Sequence, residues 1–252
     1  MRLSQTRAVI TGAGSGYGAA IAQRFAAQGA RVACIDLQLP AAQAVAQQLQ
    51  AAGCDAMAVQ CDVARSDSVQ AMTQQIAQAW GGFSVLVNNA GVSQRPARLG
   101  KTPEAEIDHL LAVNLKSLHH MAVHALPLMR QCKPACVINI ASVTGLRPRP
   151  GMTWYNASKA AVISVTQSMA AELAPEGIRV NAIAPTAAHT PMLQAMFGDR
   201  LQEGIDRVLA TIPLGRLCQG ADVAAAALYL ASADAEFVTG IVLPVDGGRL
   251  VA

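Results

Sequence analysis

Long apolar runs are missing from this chain: nowhere in its 252 residues do about 18 apolar residues follow one another, so no segment reads as a membrane-spanning helix. A secretory leader is not expected either. Arg2 and Arg7 are followed by a β-branched run that stops at Gly12, with no sustained apolar core and no small-residue cleavage site. Paired cysteine spacings are absent: Cys34, Cys54, Cys61, Cys132, Cys136 and Cys218 show no C-x-x-C, which argues against zinc or redox chemistry and for reduced, mostly buried thiols. No basic run accompanies the net charge of +3. The densest spot, Arg147-Pro-Arg149, is too small for a polyanion, so nucleic acid is not an expected partner. Charge itself is scarce, at 14% against 52% hydrophobic residues, which excludes disorder and predicts that some outer surface is covered in an oligomer. A cytoplasmic protein without membrane contact is the expectation.

Short β-branched runs alternate with Ala- and Gln-rich stretches along the whole chain. Strands are expected at Ala8–Thr11, Arg31–Asp36, Ala56–Gln60, Ser84–Val87, Cys136–Ala141, Arg179–Ile183 and Ile241–Val245. Most are continuous apolar runs, the pattern of strands covered on both faces. Helices are expected at Tyr17–Gln28, Ala41–Ala52, Ser66–Trp80, Glu104–Gln131, Trp154–Ala174 and Asp222–Ala231, with Gly29, Gly53 and Gly177 closing three of them. Strict β-α alternation implies right-handed crossovers. The expected fold is α/β: one Rossmann-type, doubly wound, seven-stranded parallel sheet with helices on both faces, in a single domain spanning residues 1–252. A chain of this length buries roughly 70–75% of its unfolded surface and needs no covalent staples. Only Pro185–Gly220 breaks the alternation, and it is read as a mobile substrate lid.

Thr11-Gly-Ala-Gly-Ser-Gly-Tyr-Gly18 lies between the first strand and the first helix, and Asp36 follows 18 positions beyond Gly18. A glycine pattern alone is weak; strand before, helix after and an acidic residue at this distance make it a dinucleotide loop. Glycines allow the tight turn and let a pyrophosphate approach the helix N-terminus. Asp36 is placed to accept hydrogen bonds from a ribose diol and to repel a 2′-phosphate, each unit charge pair costing on the order of 4 kcal/mol at ~4 Å and an effective dielectric of ~20. Ser15 and Leu37 stand where a phosphate site would want Arg or Lys. The cofactor expected is NAD, with Gly12, Ser15, Gly16, Tyr17, Gly18, Asp36 and Leu37 as its candidate contacts.

Tyr155-Asn-Ala-Ser-Lys159 sets tyrosine and lysine four apart on one helix face. Such a pair is usually a solvated surface. Here Ser142 follows the fifth strand, Asn114 interrupts an apolar helix and Asn88-Asn-Ala-Gly91 follows the fourth strand, all leaving from the carboxyl edge where open parallel sheets place their sites. With the glycine loop, Asp62-Val63 and the closing Val245-Asp-Gly-Gly248, these motifs resemble the short-chain dehydrogenase/reductase family over essentially the whole chain. The resemblance implies that Tyr155 is the general acid/base, that Lys159 lowers its pKa and holds the nicotinamide ribose, that Ser142 bonds the substrate oxygen and that Asn114 holds a relay water. It also implies that Asp62 and Val63 meet the adenine, that Asn89, Ala90 and Gly91 line the cofactor cleft, and that Pro185, Ala188 and Thr190 lie at the nicotinamide. Where the family usually reads Pro-Gly, this chain reads Pro185-Thr186. A homotetramer is implied as well, built on the helices from Glu104 and Trp154 and on the last strand.

The expected activity is NAD-dependent hydride transfer to or from a secondary or benzylic alcohol or its carbonyl. An acidic substituent on that substrate is a further expectation, because Arg95, Arg147 and Arg149 sit in loops that border the substrate pocket in this family, with Gln94 and Thr144 beside them. Two alternatives stay open. An NADP-dependent 3-oxoacyl-carrier reductase fits the same motifs but not Asp36, and a non-catalytic dinucleotide sensor fits the fold but not an intact Tyr155/Lys159 pair. His120 and His124, spaced i and i+4, could hold zinc but lack a third ligand nearby and are read as core or interface residues, so no metal is expected.

Overall fold

A computed structural model describes all residues from Met1 to Ala252. The β-branched runs become β1 (Arg7–Thr11), β2 (Arg31–Asp36), β3 (Ala56–Gln60), β4 (Val85–Asn88), β5 (Ala135–Ile140), β6 (Ile178–Pro185) and β7 (Val242–Val245). They form one sheet in the order β3-β2-β1-β4-β5-β6-β7, every neighbouring pair parallel. Alternate residues feed opposite layers, as the two-residue period requires. Ile10, Val32, Val87 and Ile138 enter one apolar cluster, while Val9, Ala33, Leu86 and Val137 enter another on the other face. The sheet is therefore buried on both sides, which is why its strands read as unbroken apolar runs.

Helices α1 (Gly16–Ala26), α2 (Leu39–Ala51) and α3 (Ser66–Trp80) connect the first strands. Then come α4 (Glu104–Leu111), α5 (Ser117–Met129), the four-residue α6 (Val143–Leu146) and α7 (Thr153–Leu173), followed by α8 (Pro191–Phe197), α9 (Leu201–Leu209) and α10 (Gly220–Ala231). Ile21 and Phe25 of α1 with Val223 and Leu228 of α10 cover one face; Met72 and Ile76 of α3 with Met121 and Met129 of α5 cover the other. After β3 the chain crosses to the far side of β1 to lay down β4, so β1 and β4 are adjacent strands with diverging connections. Their carboxyl ends open the crevice in which doubly wound sheets bind ligands.

Two expectations need correction. The single helix expected over Glu104–Gln131 is α4 and α5 joined by a π-helical turn, Ala112–Lys116, which carries Asn114. Pro185–Gly220 does break the alternation, but with helices in place of irregular chain: α8 and α9 follow one another with no strand between them, around their own small core of Leu193, Ile205, Val208, Ile212 and Leu217. Thr190 accepts a side-chain hydrogen bond from the Leu193 N–H and Pro191 takes the first helical position, a start signal written in the sequence.

Candidate active site

At the end of β1 the chain turns so tightly that a Cβ on Gly18 would lie 2.1 Å from the Gly12 carbonyl oxygen; the protein's own packing demands that glycine. Ser15 precedes α1 in an extended conformation, its side chain caps nothing, and the first turn has no acidic residue. The orphan N–H groups of that turn are thus left to an external anion, which fits a pyrophosphate. Asp36 closes β2 with Oδ2 accepting from the Gly14 N–H (2.9 Å) and Oδ1 from the Gln38 N–H (3.0 Å). Its carboxylate is fixed at the mouth of the crevice, and Leu37 beside it is exposed.

The other cofactor candidates divide into lining and bracing groups. Asp62 accepts from the Ala64 N–H at 2.9 Å, while buried Val63 offers its carbonyl to His120 Nδ1 at 3.0 Å. Asn89 turns its side chain back onto the Thr11 and Gly12 carbonyls (2.9 and 3.0 Å), and the Thr11 hydroxyl accepts from the N–H groups of Asn89 and Ala90, both at 3.0 Å. Thr11 thereby ties the β4 loop to the glycine loop, a role with no motif to announce it. Tyr17 donates its hydroxyl to the Thr186 carbonyl at 2.7 Å, and burial pushes its phenol far up, so it serves as a fixed donor. Ala188 is buried and bridges to Cys218; Thr190 stands with its methyl 3.3 Å from where a Cβ on Gly16 would be. Pro185 and Thr186, at the end of β6, therefore face the same crevice from its other side.

Tyr155 and Lys159 are both buried on the first turns of α7. The helix is aimed by Gln94: its Oε1 accepts from the N–H groups of Trp154 (3.1 Å) and Tyr155 (3.2 Å), and its Nε2 donates to Thr102 Oγ1 at 2.9 Å. Gln94 is 1% exposed, so it braces the helix instead of lining a substrate pocket. Ser142 caps α6 and accepts from Thr144 through both N–H and hydroxyl, each at 3.2 Å, which occupies Thr144. Asn114 is held by Val92 in both directions (2.9 Å each) and donates to Ser158 at 3.1 Å. Both amide hydrogens of its side chain are thus spent within the protein, and its Oδ1 keeps one acceptor position. A Cβ on Gly91 would lie 3.2 Å from Asn114 Oδ1 and 3.5 Å from Lys159 Nζ, so these three converge.

Burial raises the Tyr155 phenol, while a hydrogen bond with Ser142 and the Arg149 charge lower it. The expected source of lowering, Lys159, instead donates to the Ile140 carbonyl at 2.9 Å, and its ammonium is 5.9 Å from the Tyr155 ring centroid. Burial pushes Lys159 down to about 8. Chemically, the cluster offers a proton-exchanging phenol, a hydroxyl beside it and a cation whose charge is expensive to bury.

The three arginines separate. Arg95 is exposed, its N–H on Glu106 at 3.4 Å. Arg147 is exposed and donates to the main-chain oxygens of Ala252 (2.5 Å) and Arg249 (3.4 Å). Arg149 is half-buried beside the phenol. His120 packs on the Val63 carbonyl and His124 on Ser66 (2.9 Å), on different partners. No helix is long and apolar enough to cross a membrane.

Residues 12–249 match the family model described as enoyl-(acyl carrier protein) reductase. The 4-formylbenzenesulfonate dehydrogenase of Comamonas testosteroni is 42% identical over 250 residues, covering 99% of each chain. Among solved structures, a 3-ketoacyl-(acyl-carrier-protein) reductase from Brucella melitensis complexed with NADH superposes with a TM-score of 0.90 at 37% identity, covering 98% of this chain and 99% of that one. A gluconate 5-dehydrogenase from Burkholderia cenocepacia, in complex with NADP and tartrate, gives 0.93 at 33%, covering 100% and 97%.

Proposed function

The chain belongs to the short-chain dehydrogenase/reductase family, and from that premise we propose that it is an NAD-dependent dehydrogenase of a secondary or benzylic alcohol carrying an acidic group, working as a reductase in the other direction. The observation that carries this reading is the buried Tyr155 phenol beside Ser142 at the carboxyl edge of the sheet, with Lys159 one helical turn on. NAD, when bound, supplies the hydride acceptor. Ser142 and Tyr155 together hold the substrate hydroxyl, and the Tyr155 phenolate removes its proton as the carbonyl forms; in reverse the phenol protonates the nascent alkoxide. Arg149 favours the phenolate by its charge, while Lys159 and the π turn around Asn114 lead the proton outward. The glycine loop and the first turn of α1 would hold the pyrophosphate, Asp36 the adenosine ribose, and Pro185, Ala188 and Thr190 the nicotinamide side.

The relative named for 4-formylbenzenesulfonate, an aromatic aldehyde, supports an acidic substrate whose reacting carbon is attached to an aromatic ring. An NADP-dependent 3-oxoacyl reductase is the second reading, its reaction favoured by the Brucella 3-ketoacyl reductase structure; it would show as reduction of a thioester-linked ketone. Oxidation of an alcohol panel, followed by NADH formation with NAD and NADP in parallel, decides between them. The segment over residues 185–220 is read as the substrate lid on a single domain. Exposed Val123 on α5, with Phe237 and Ile241 next to the open edge of β7, supports a homotetramer, and six free thiols fit a cytoplasmic location.

Gln94 gives a prediction. Gln94→Ala removes the acceptor for two N–H groups of α7 and should lower stability by about 1–2 kcal/mol in denaturant titration. Turnover should drop about tenfold, because the phenol loses its aim. Gln94→Glu restores an acceptor but places negative charge at the phenol, so its alcohol-oxidation profile should move to higher pH. Unshifted profiles with wild-type turnover in both variants would remove Gln94 from the site.

A further inference from the structure

We propose that Arg149 and Arg249 form the receptor for the substrate's acidic group, a carboxylate or sulfonate on an aromatic ring; the assignment rests on the reading of Tyr155 as the reacting group. Between the loop after α6 and the C-terminal turn lies a cavity of about 330 Å³, lined among others by Val143, Arg147, Arg149, Thr211, Arg249 and Leu250. Three guanidinium groups border it and no acidic side chain does. Arg149 and Arg249 take part in no side-chain ion pair, while Arg147 holds the main-chain oxygen of Ala252, which also lines the cavity. The nearest carboxylate, Asp246, is occupied by the N–H groups of Gly248 (3.0 Å) and Leu250 (2.9 Å). Like charges gathered in a half-buried place repel one another, and an anion relieves both the repulsion and the lost hydration.

The hydrogen bonds show which guanidinium is available. Arg147 is engaged by main-chain oxygens. Arg249 uses Nη1 on the Thr186 hydroxyl at 3.0 Å, which anchors it to the end of β6 through the threonine that replaces the family's usual glycine. Arg149 reaches only the Met196 thioether, a weak acceptor, at 3.2 Å, and lies 6.0 Å over the Phe197 ring. Its main chain is held by Asn156, whose Nδ2 donates to the Arg149 carbonyl at 2.8 Å, one residue from Tyr155. Arg149 thus lines the cavity and also bears on the reacting phenol through its charge, with most of its planar fork unengaged and an aromatic face beside it. A fork of this kind takes two oxygens at once. Burial lowers both guanidinium groups, and the charges of Arg149 and Arg147 lower Arg249 further. The larger cavity, about 660 Å³ on the other side of Phe197, also has arginines, but Arg98, Arg200 and Arg207 are exposed to solvent and Glu203 pairs with Arg207.

The test is calorimetric binding of benzoate, benzenesulfonate and neutral benzamide to the protein saturated with NADH, in wild type, Arg149→Met, Arg149→Lys and Arg249→Met. Both anions should bind at least about tenfold more tightly than benzamide and weaken with added salt. Arg149→Met should abolish the difference, Arg149→Lys should recover part of it, and Arg249→Met should reduce it. If benzamide matches the anions in wild type, or if neither methionine variant changes their ratio, the proposal is overturned. Oxidation of 4-carboxybenzyl alcohol against benzyl alcohol separates the two readings. Selective anion binding without turnover of either alcohol would leave the receptor standing and sink the proposed reaction. Equal turnover with no anion preference would do the reverse.

Discussion

Tyr155→Phe is expected to cut turnover by about 10²–10⁴ while leaving NAD affinity nearly intact, because it removes one hydroxyl and preserves the ring that packs against Leu110 and Met152. Lys159→Ala should damage both turnover and cofactor binding. Its ammonium lies beside Gly91 in the cofactor crevice and its stem fills a buried channel to the Ile140 carbonyl. The pH dependence has a definite sign. Alcohol oxidation uses the phenolate, so kcat/KM should climb with pH and level off above the Tyr155 pKa, and carbonyl reduction should run the other way. Ser142→Ala removes a hydrogen bond that lowers the phenol, and should move the climb to higher pH. Initial rates in both directions across pH, with NAD dissociation measured by fluorescence, check all three variants. Near-normal turnover in Tyr155→Phe would end the acid/base assignment.

The inner strands β1, β2, β4 and β5 were legible as short apolar runs rich in β-branched residues and buried along nearly all their length, and β2 and β3 have the bounds their residues suggest. β6 runs further than its apolar run, to Pro185, since a proline at a strand end gives up no needed N–H. The break between α4 and α5 was not legible. Asn114 is bonded to Val92 and Ser158, 22 and 44 residues away, and nothing in its neighbours marks a π turn. Gln94 was read as a substrate-pocket residue, and its bracing role escaped for the same reason: it acts on N–H groups about 60 residues further along. Motif spacing brought Tyr155 and Lys159 together on one helix face, but it could not say that Arg149 supplies the nearby charge while Lys159 bonds to a carbonyl. Likewise Arg95, Arg147 and Arg149 look equivalent in sequence; only burial and the partners of each side chain separate them. Local pattern reports what a segment prefers, and sites are assembled by contacts between segments.

NAD should be preferred to NADP by at least about a hundredfold in kcat/KM, roughly 2.7 kcal/mol. Asp36 is held by the Gly14 and Gln38 N–H groups, so it cannot swing away from a 2′-phosphate without breaking both bonds. Its neighbours supply no compensating cation: Leu37 is exposed and apolar, and Gln60 donates its Nε2 to the Leu37 carbonyl at 3.1 Å. Asp36→Ser should narrow the preference by removing the repulsion, at some cost in NAD affinity, because a serine cannot span both N–H groups. Adding Leu37→Arg should turn the preference toward NADP, since a guanidinium there can pair with the phosphate. Steady-state kinetics with each cofactor at a saturating alcohol, on wild type and both variants, measures the shift. Equal use of NAD and NADP by the unmodified enzyme would mean that Asp36 does not meet the ribose, and it would put the 3-oxoacyl reductase reading ahead of the NAD-dependent one.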